Sequence, residues 1–175
     1  QANLTECDFQ GANLAHASFF SATIENSNLG FARMMYSFMK QVTINKSRLG
    51  GVNARGCDLS FSKLTEVDLK GSILKYAGLN SCTFKEVNLT NANLVGVELK
   101  DAQCAGVIWE EANMEGSDLT YANLEGGNLR NAFLLEANLH GTNFTNANLS
   151  DAYLVDANIA KAITKGANME NTILQ

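Results

Sequence analysis

The chain has 175 residues, 13 Lys or Arg against 18 Asp or Glu, and a formal net charge of −5. It contains no Pro, and no run of 18 or more apolar residues, so the sequence predicts no membrane span. No linker or shift in composition marks a boundary, which indicates one elongated domain over residues 1–175.

One five-residue pattern runs along the whole chain in a single register. A large, mostly apolar residue recurs at every fifth position from Leu4 to Leu174, and we call this position the centre. The residue two places earlier is always small or short, and the residue directly before the centre is mostly Asn or Asp. In an α-helix or a strand, residues five positions apart do not lie on the same face. The chain must therefore bend once per unit so that all centres share one core.

This A(N/D)LXX pattern resembles the pentapeptide repeat family, with clear examples at residues 92–94, 122–124 and 147–149. The resemblance covers residues 1–175 and implies an all-β fold, a right-handed, four-sided parallel β-helix with four units per coil. Unusual residues support this coil length, because Val67, Val87 and Val107 occupy the same slot 20 residues apart. The chain is thus expected to form about nine coils and a rod about 40 Å long. Uncovered coil edges would pair with other chains, so we expect the rod to be part of a longer protein.

The sequence offers little that points to catalysis. His16 and His140 are expected to point outward on different sides, and no acidic pair or Gly-rich phosphate loop forms a pocket. We therefore predict a protein that is not an enzyme and has no cofactor or metal site. The four cysteines all fall in inward slots without a C-x-x-C pair, which indicates free core thiols and favours a cytoplasmic location, with a secreted effector as the other option. Those cysteines are Cys7, Cys57, Cys82 and Cys104.

Outward apolar residues are the most informative part of the surface. On one of the four sides they stack in two columns, and this set is the predicted protein interface: Phe133, Leu135, Tyr153, Val155 and Ile173. A flanking domain of the same chain, a protein partner, or a second copy in a homodimer could cover this side. A second outward cluster near the N-terminus lacks the 20-residue stacking and ranks below the first: Phe20, Phe31, Met35, Tyr36 and Phe38. Trp109 occupies a centre and is predicted to belong to the core.

Charge is unevenly distributed along the rod. Residues 101–175 carry three Lys or Arg against ten acids, whereas residues 1–100 carry ten against eight. The family resemblance implies that some members mimic DNA, bind type II topoisomerases such as DNA gyrase and protect bacteria from quinolones. We therefore expect a rigid, bacterial protein-interaction or spacer module that does not bind nucleic acid directly, with the DNA-mimic role as the alternative.

Overall fold

The computed structural model describes residues 2–174, which contain no helix and wind as a four-sided parallel β-solenoid. Five parallel strands form one sheet in sequence order, and each strand pairs with the residues 20 positions later. The strands are β1 (Asn3–Thr5), β2 (Thr23–Glu25), β3 (Thr43–Asn45), β4 (Lys63–Thr65) and β5 (Thr83–Lys85). We number the sides in chain order, so that sides 1 to 4 carry the centres Leu4, Phe9, Leu14 and Phe19, and the numbering then repeats.

The regular strands make only about four turns, not the nine coils expected. Elsewhere the layers meet through isolated parallel bridges, which also join residues 20 apart and extend from Asp8↔Asn28 to Tyr153↔Ile173. Side 1 of the first five layers, which carries the strands, differs from the other sides at the corner that follows it. Most corners are closed by a tight turn, as where the Ala32 N–H donates to the Leu29 carbonyl at 3.0 Å. The corner after side 1 in the first five layers lacks this bond, and on that side the pairing extends over three residues.

Every corner requires a left-handed residue. All residues at the second position after a centre, from Glu6 to Asn171, have φ between 48° and 71°. Ten of these are Gly and 24 are not. A turn with positive φ at its third residue is of type II, and it reverses enough of the chain direction to start the next side. The bend predicted from the five-residue period is therefore present in every unit described.

The core is a single column of centres and small residues inside the four sides. Trp109 is fully buried, as predicted, and its ring meets Phe84 edge to face with centroids 6.2 Å apart. Some hydroxyl groups in the small slot bond to backbone of the preceding coil, as where Thr142 Oγ1 donates to the Leu119 carbonyl at 2.8 Å. Others, those of Ser37, Ser72 and Ser117, are buried without a partner among the described residues. Near the last described layer the centres Ile159 and Leu174 are exposed, because no described layer lies above them.

The Asn or Asp before each centre has a local role. Its side-chain oxygen accepts a hydrogen bond from the N–H two residues later, as from Glu115 N to Asn113 Oδ1 at 3.0 Å. Asn side chains also bond to one another between coils, as from Asn143 Nδ2 to Asn123 Oδ1 at 3.1 Å. These bonds occupy polar groups on the outer surface and join adjacent layers.

Aromatic corner residues lie flat on glycines of the following coil. A Cβ atom added to Gly56 would be 2.7 Å from the Tyr36 ring, and one added to Gly96 would be 2.6 Å from the Tyr76 ring. The same arrangement joins Phe31 to Gly51 and Tyr121 to Gly141. At these corners glycine leaves the space that the ring occupies, whereas its positive φ is also adopted by other residue types at 24 corners. Between residues 2 and 174 no helix is long and apolar enough to cross a membrane.

Two adjacent leucines provide a test of the core assignment. Leu134 is a fully buried centre, whereas Leu135 is only partly buried and points outward. We expect Leu134→Ala to lower the free energy of unfolding by about 2–5 kcal/mol, because it leaves a cavity. Leu135→Ala should cost less than about 1 kcal/mol. Urea denaturation followed by circular dichroism measures both, and equal losses would contradict the assignment.

Substitution of two corner glycines distinguishes the contribution of ring packing from that of backbone strain. Gly56 has φ 63° and lies under Tyr36, whereas Gly116 has φ 61° and nothing within 4 Å of an added Cβ. Gly116→Ala should cost about 1 kcal/mol from the left-handed φ alone. Gly56→Ala should cost about 1–3 kcal/mol more, because the Tyr36 ring is displaced. If urea denaturation shows the same loss for both variants, the ring does not pack on the glycine.

Candidate protein-interaction surface

The predicted interface residues lie together on side 3, and we call them the apolar stripe: Phe133, Leu135, Tyr153, Val155 and Ile173. Phe133, Tyr153 and Ile173 form one column through successive parallel bridges. Leu135 and Val155 occupy the neighbouring column, one place after the centres. The three residues of the first column are 37–40% exposed, and the two of the second are partly buried. The stripe thus presents apolar side chains over three consecutive layers.

Stacking between layers orders the stripe. The rings of Phe133 and Tyr153 are parallel within 6°, with centroids 5.0 Å apart. Offset stacking of this kind is favourable and holds both rings in one orientation. A shallow groove beside the rings is lined on its other side by Asn91, Glu111 and Asn131. The surface is therefore a preformed ridge and groove, with side chains that are already fixed before any partner binds.

Side 3 breaks the local hydrogen-bonding pattern of the solenoid at the stripe. Phe133, Tyr153 and Ile173 occupy in three successive layers the slot in which Asn and Asp are the commonest residues. Within residues 2–174, the N–H groups of Leu135 and Val155 consequently have no side-chain oxygen in that slot to which they can donate a hydrogen bond. Each such hydrogen bond contributes about 1 kcal/mol. The apolar residues therefore replace a stabilising feature of the fold over successive coils.

The N-terminal aromatic cluster is distributed over several sides. Phe20 and Phe38 stack on side 4 with ring centroids 5.7 Å apart. Tyr36 stacks on His16 at 5.6 Å along the corner after side 3. Phe31 is 68% exposed and rests on Gly51 at the corner after side 2. These residues do not form one continuous face.

The groups that commonly carry catalysis or bind metals are scattered. His16 and His140 are both exposed, and each lies beside a tyrosine, at 5.6 Å from Tyr36 and 5.5 Å from Tyr121. In the described range, no group of three or more His, Cys, Asp or Glu side chains is placed to hold a metal ion.

The cysteines are thiols in the core. Burial raises the pKa of Cys57 and Cys82 to about 12, and it raises the pKa of the fully buried Cys104 as well. Cys7, near the first described layer, is only partly buried. All four are free. A thiol with so high a pKa is a poor nucleophile, because the reactive species is the thiolate.

Charged residues on side 4 are paired between neighbouring coils. Lys40 Nζ lies 3.1 Å from Asp58 Oδ2, and Lys100 Nζ lies 3.2 Å from Asp118 Oδ2. Partial burial opposes ionisation of both carboxyl groups. Hydrogen bonds from the nearby Ser or Thr and the adjacent lysine outweigh it and lower the pKa of Asp58 and Asp118. The charges on side 4 are thus largely satisfied within the chain.

Solved structures of several solenoids are similar to this chain. A pentapeptide repeat protein of the Arabidopsis thaliana thylakoid lumen is 26% identical with a TM-score of 0.55, over 57% of this chain and 70% of its own. HetL of the cyanobacterium Nostoc, described as involved in regulating heterocyst differentiation, is 23% identical with a TM-score of 0.50, over 98% and 86%. A trypsin-treated form of QnrB1, a plasmid-mediated fluoroquinolone resistance protein, is 15% identical with a TM-score of 0.53, over 99% and 91%. At these identities HetL and QnrB1 share the fold alone.

The sequence itself matches one family model. Among proteins with curated descriptions, none matches significantly. The model described as pentapeptide repeats matches eight copies, over residues 1–34, 62–101, 98–134 and 137–175. Together with the bend in every five-residue unit and the 20-residue pairing, this match shows that the chain belongs to the pentapeptide repeat family.

Proposed function

We propose that this solenoid is a rigid, non-enzymatic protein-interaction module, and that the apolar stripe on side 3 is its contact surface. The observation that carries the proposal is the replacement of Asn or Asp by Phe133, Tyr153 and Ile173 in three successive layers. Proteins break a local structural rule mainly where function requires it. A contiguous exposed apolar surface is also a common mark of a protein contact.

The rigidity of the module supports this role. Hydrogen bonds join each side to the coils on both sides of it: Leu134 N donates to the Tyr153 carbonyl of the next coil at 2.7 Å, and Phe133 N donates to the Ala112 carbonyl of the preceding coil at 2.9 Å. The stripe is therefore held by layers above and below it. A surface that is ordered before binding loses less conformational entropy when a partner docks. The three buried thiols are compatible with action in a reducing cytoplasm.

The stripe is tested by placing charge in its middle. We expect Leu135→Lys combined with Tyr153→Lys to abolish association, because two ammonium groups would be desolvated in any apolar contact. Fluorescence-detected sedimentation of the labelled chain, in buffer and in a concentrated bacterial extract, measures association with itself and with other proteins. The wild-type chain should sediment faster than a monomer in at least one of the two solutions, and the variant as a monomer in both.

A matched control adds the same charge elsewhere. Ala105→Lys with Ala160→Lys places two lysines in outward slots on sides 1 and 4, where both alanines are exposed. This variant should sediment like the wild type, and circular dichroism should be unchanged for all three proteins. Monomeric wild-type protein in both solutions, or equal association of the stripe variant, would contradict the proposal.

A DNA-mimic role is the second candidate, supported by the acidic excess of residues 101–175 and by the shared architecture with QnrB1. Three of the ten acids are matched by basic partners: Glu110 and Asp151 by Arg130, and Asp118 by Lys100. If the acidic part replaces DNA, micromolar protein should alter DNA supercoiling by gyrase or its inhibition by a quinolone, and added salt should weaken the effect. Unchanged supercoiling and unchanged inhibition would exclude this role.

A further inference from the structure

Building on the proposed function, we propose that the partner of side 3 is a second copy of this chain, packed face to face and antiparallel about a two-fold axis at Val95. Charge complementarity along side 3 is the reason to identify the partner as a second copy of the chain. The basic first half of this side matches the acidic second half of a reversed copy. Each copy then supplies the same surface to the other, as a closed symmetric dimer requires.

The charges on side 3 are segregated by sign. Among its outward residues up to Val95, the charged ones are all basic, namely Arg33, Arg55 and Lys75. After Val95 they are all acidic, namely Glu115, Glu136 and Asp156. None of the six makes an ion pair within residues 2–174, in contrast to the paired charges of side 4. Side 3 thus presents unmatched charges of both signs in separate blocks.

The two blocks are spaced symmetrically about Val95. Lys75 lies 20 residues before it and Glu115 lies 20 after it, which is one layer in each direction. Arg55 and Glu136 lie two layers away, at 40 and 41 residues. Arg33 and Asp156 lie about three layers away, at 62 and 61 residues. Rotation about Val95 therefore brings every cation to the level of an acid. Only Lys75 and Glu115 also stand in equivalent columns, so this pair meets directly.

Under the same rotation two of the five stripe residues, Tyr153 and Val155, find favourable partners. The other three, Phe133, Leu135 and Ile173, meet Asn53, Arg55 and Asn13. A two-fold axis across the rod places equivalent columns opposite each other, so Met35 meets Val155 and Arg33 meets Tyr153 of the second copy. An arginine over a tyrosine ring forms a favourable cation–π contact. The existing structure already shows this preference on side 3, where Arg55 lies 5.5 Å from the centroid of Tyr76.

The opposite orientation is disfavoured. In a parallel face-to-face pair each layer meets the same layer of the second copy, so Lys75 lies at the level of Lys75 and Glu115 at the level of Glu115. Like charges placed opposite each other across an interface oppose association. The contact covers about six layers, or roughly 30 Å at the spacing of parallel strands, and is narrow. We therefore expect a weak dimer whose dissociation constant rises as salt is added.

Charge exchange at one pair tests the proposal. Lys75→Glu alone and Glu115→Lys alone each create two like-charge contacts in the antiparallel dimer, and each should weaken dimerisation about tenfold in low salt. The double variant Lys75→Glu with Glu115→Lys exchanges the two charges, so opposite charges meet again and dimerisation should return close to the wild-type level. Sedimentation velocity over a concentration series in buffer measures all four proteins. Lys63→Glu, an exposed change of the same charge on side 1, is the control and should have no effect.

The outcomes distinguish this proposal from the more general one. Wild-type protein that is monomeric in buffer but associated in extract would overturn the second-copy proposal and leave the interaction module standing. If the stripe variant abolishes association but the charge variants leave it unchanged, the antiparallel register is rejected, and the interaction module again remains. A double variant that stays as weak as the single ones would contradict the pairing of Lys75 with Glu115. Restoration in the double variant, with no effect of Lys63→Glu, would support it.

Discussion

The left-handed residue at each corner is the constraint on which the rest of this molecule depends. Residues with positive φ other than glycine are ordinarily unfavourable by about 1 kcal/mol or more. Here 24 of them occur in one small protein. They are held in place because the corner N–H bonds to the next coil, as where Tyr36 N donates to the Arg55 carbonyl at 2.9 Å. The corner conformation and the stacking of coils therefore stabilise each other, and a single coil would have neither.

The same geometry divides each unit into positions that tolerate different ranges of side chains. The centre and the small slot face a narrow interior, so their size and polarity are tightly limited. The other three positions face solvent, where Asn and Asp add local hydrogen bonds but are not required by the core. This freedom allows one side to carry Phe133 and Tyr153 in the polar slot without loss of the fold. It also allows charges on side 3 to remain unmatched while those on side 4 pair between coils.

Much of this architecture could be predicted from the sequence because its period is unusual. The inward position of Trp109, the outward position of Leu135 and the column formed by Phe133 and Tyr153 all follow from counting in fives and twenties. The restriction of regular strands to one side of the first five layers could not be predicted, because it depends on which corners close their turn bond. The aromatic–glycine contacts could have been predicted from the sequence, since Tyr36 and Gly56 lie 20 residues apart. The contact surface proposed on side 3 does not follow from the repeat pattern, because it consists of outward residues that the core does not constrain.

The winding of the chain is tested most directly by NMR couplings measured across individual hydrogen bonds. A long-range HNCO experiment on the isotopically labelled protein should connect the Leu134 amide nitrogen to the carbonyl carbon of Tyr153, 19 residues later. Equivalent connections should recur at each centre whose next coil is described. Connections from the amides of the centres to a carbonyl four residues earlier, or to a carbonyl at any separation other than 19 residues later, would contradict a solenoid with four five-residue units in each turn.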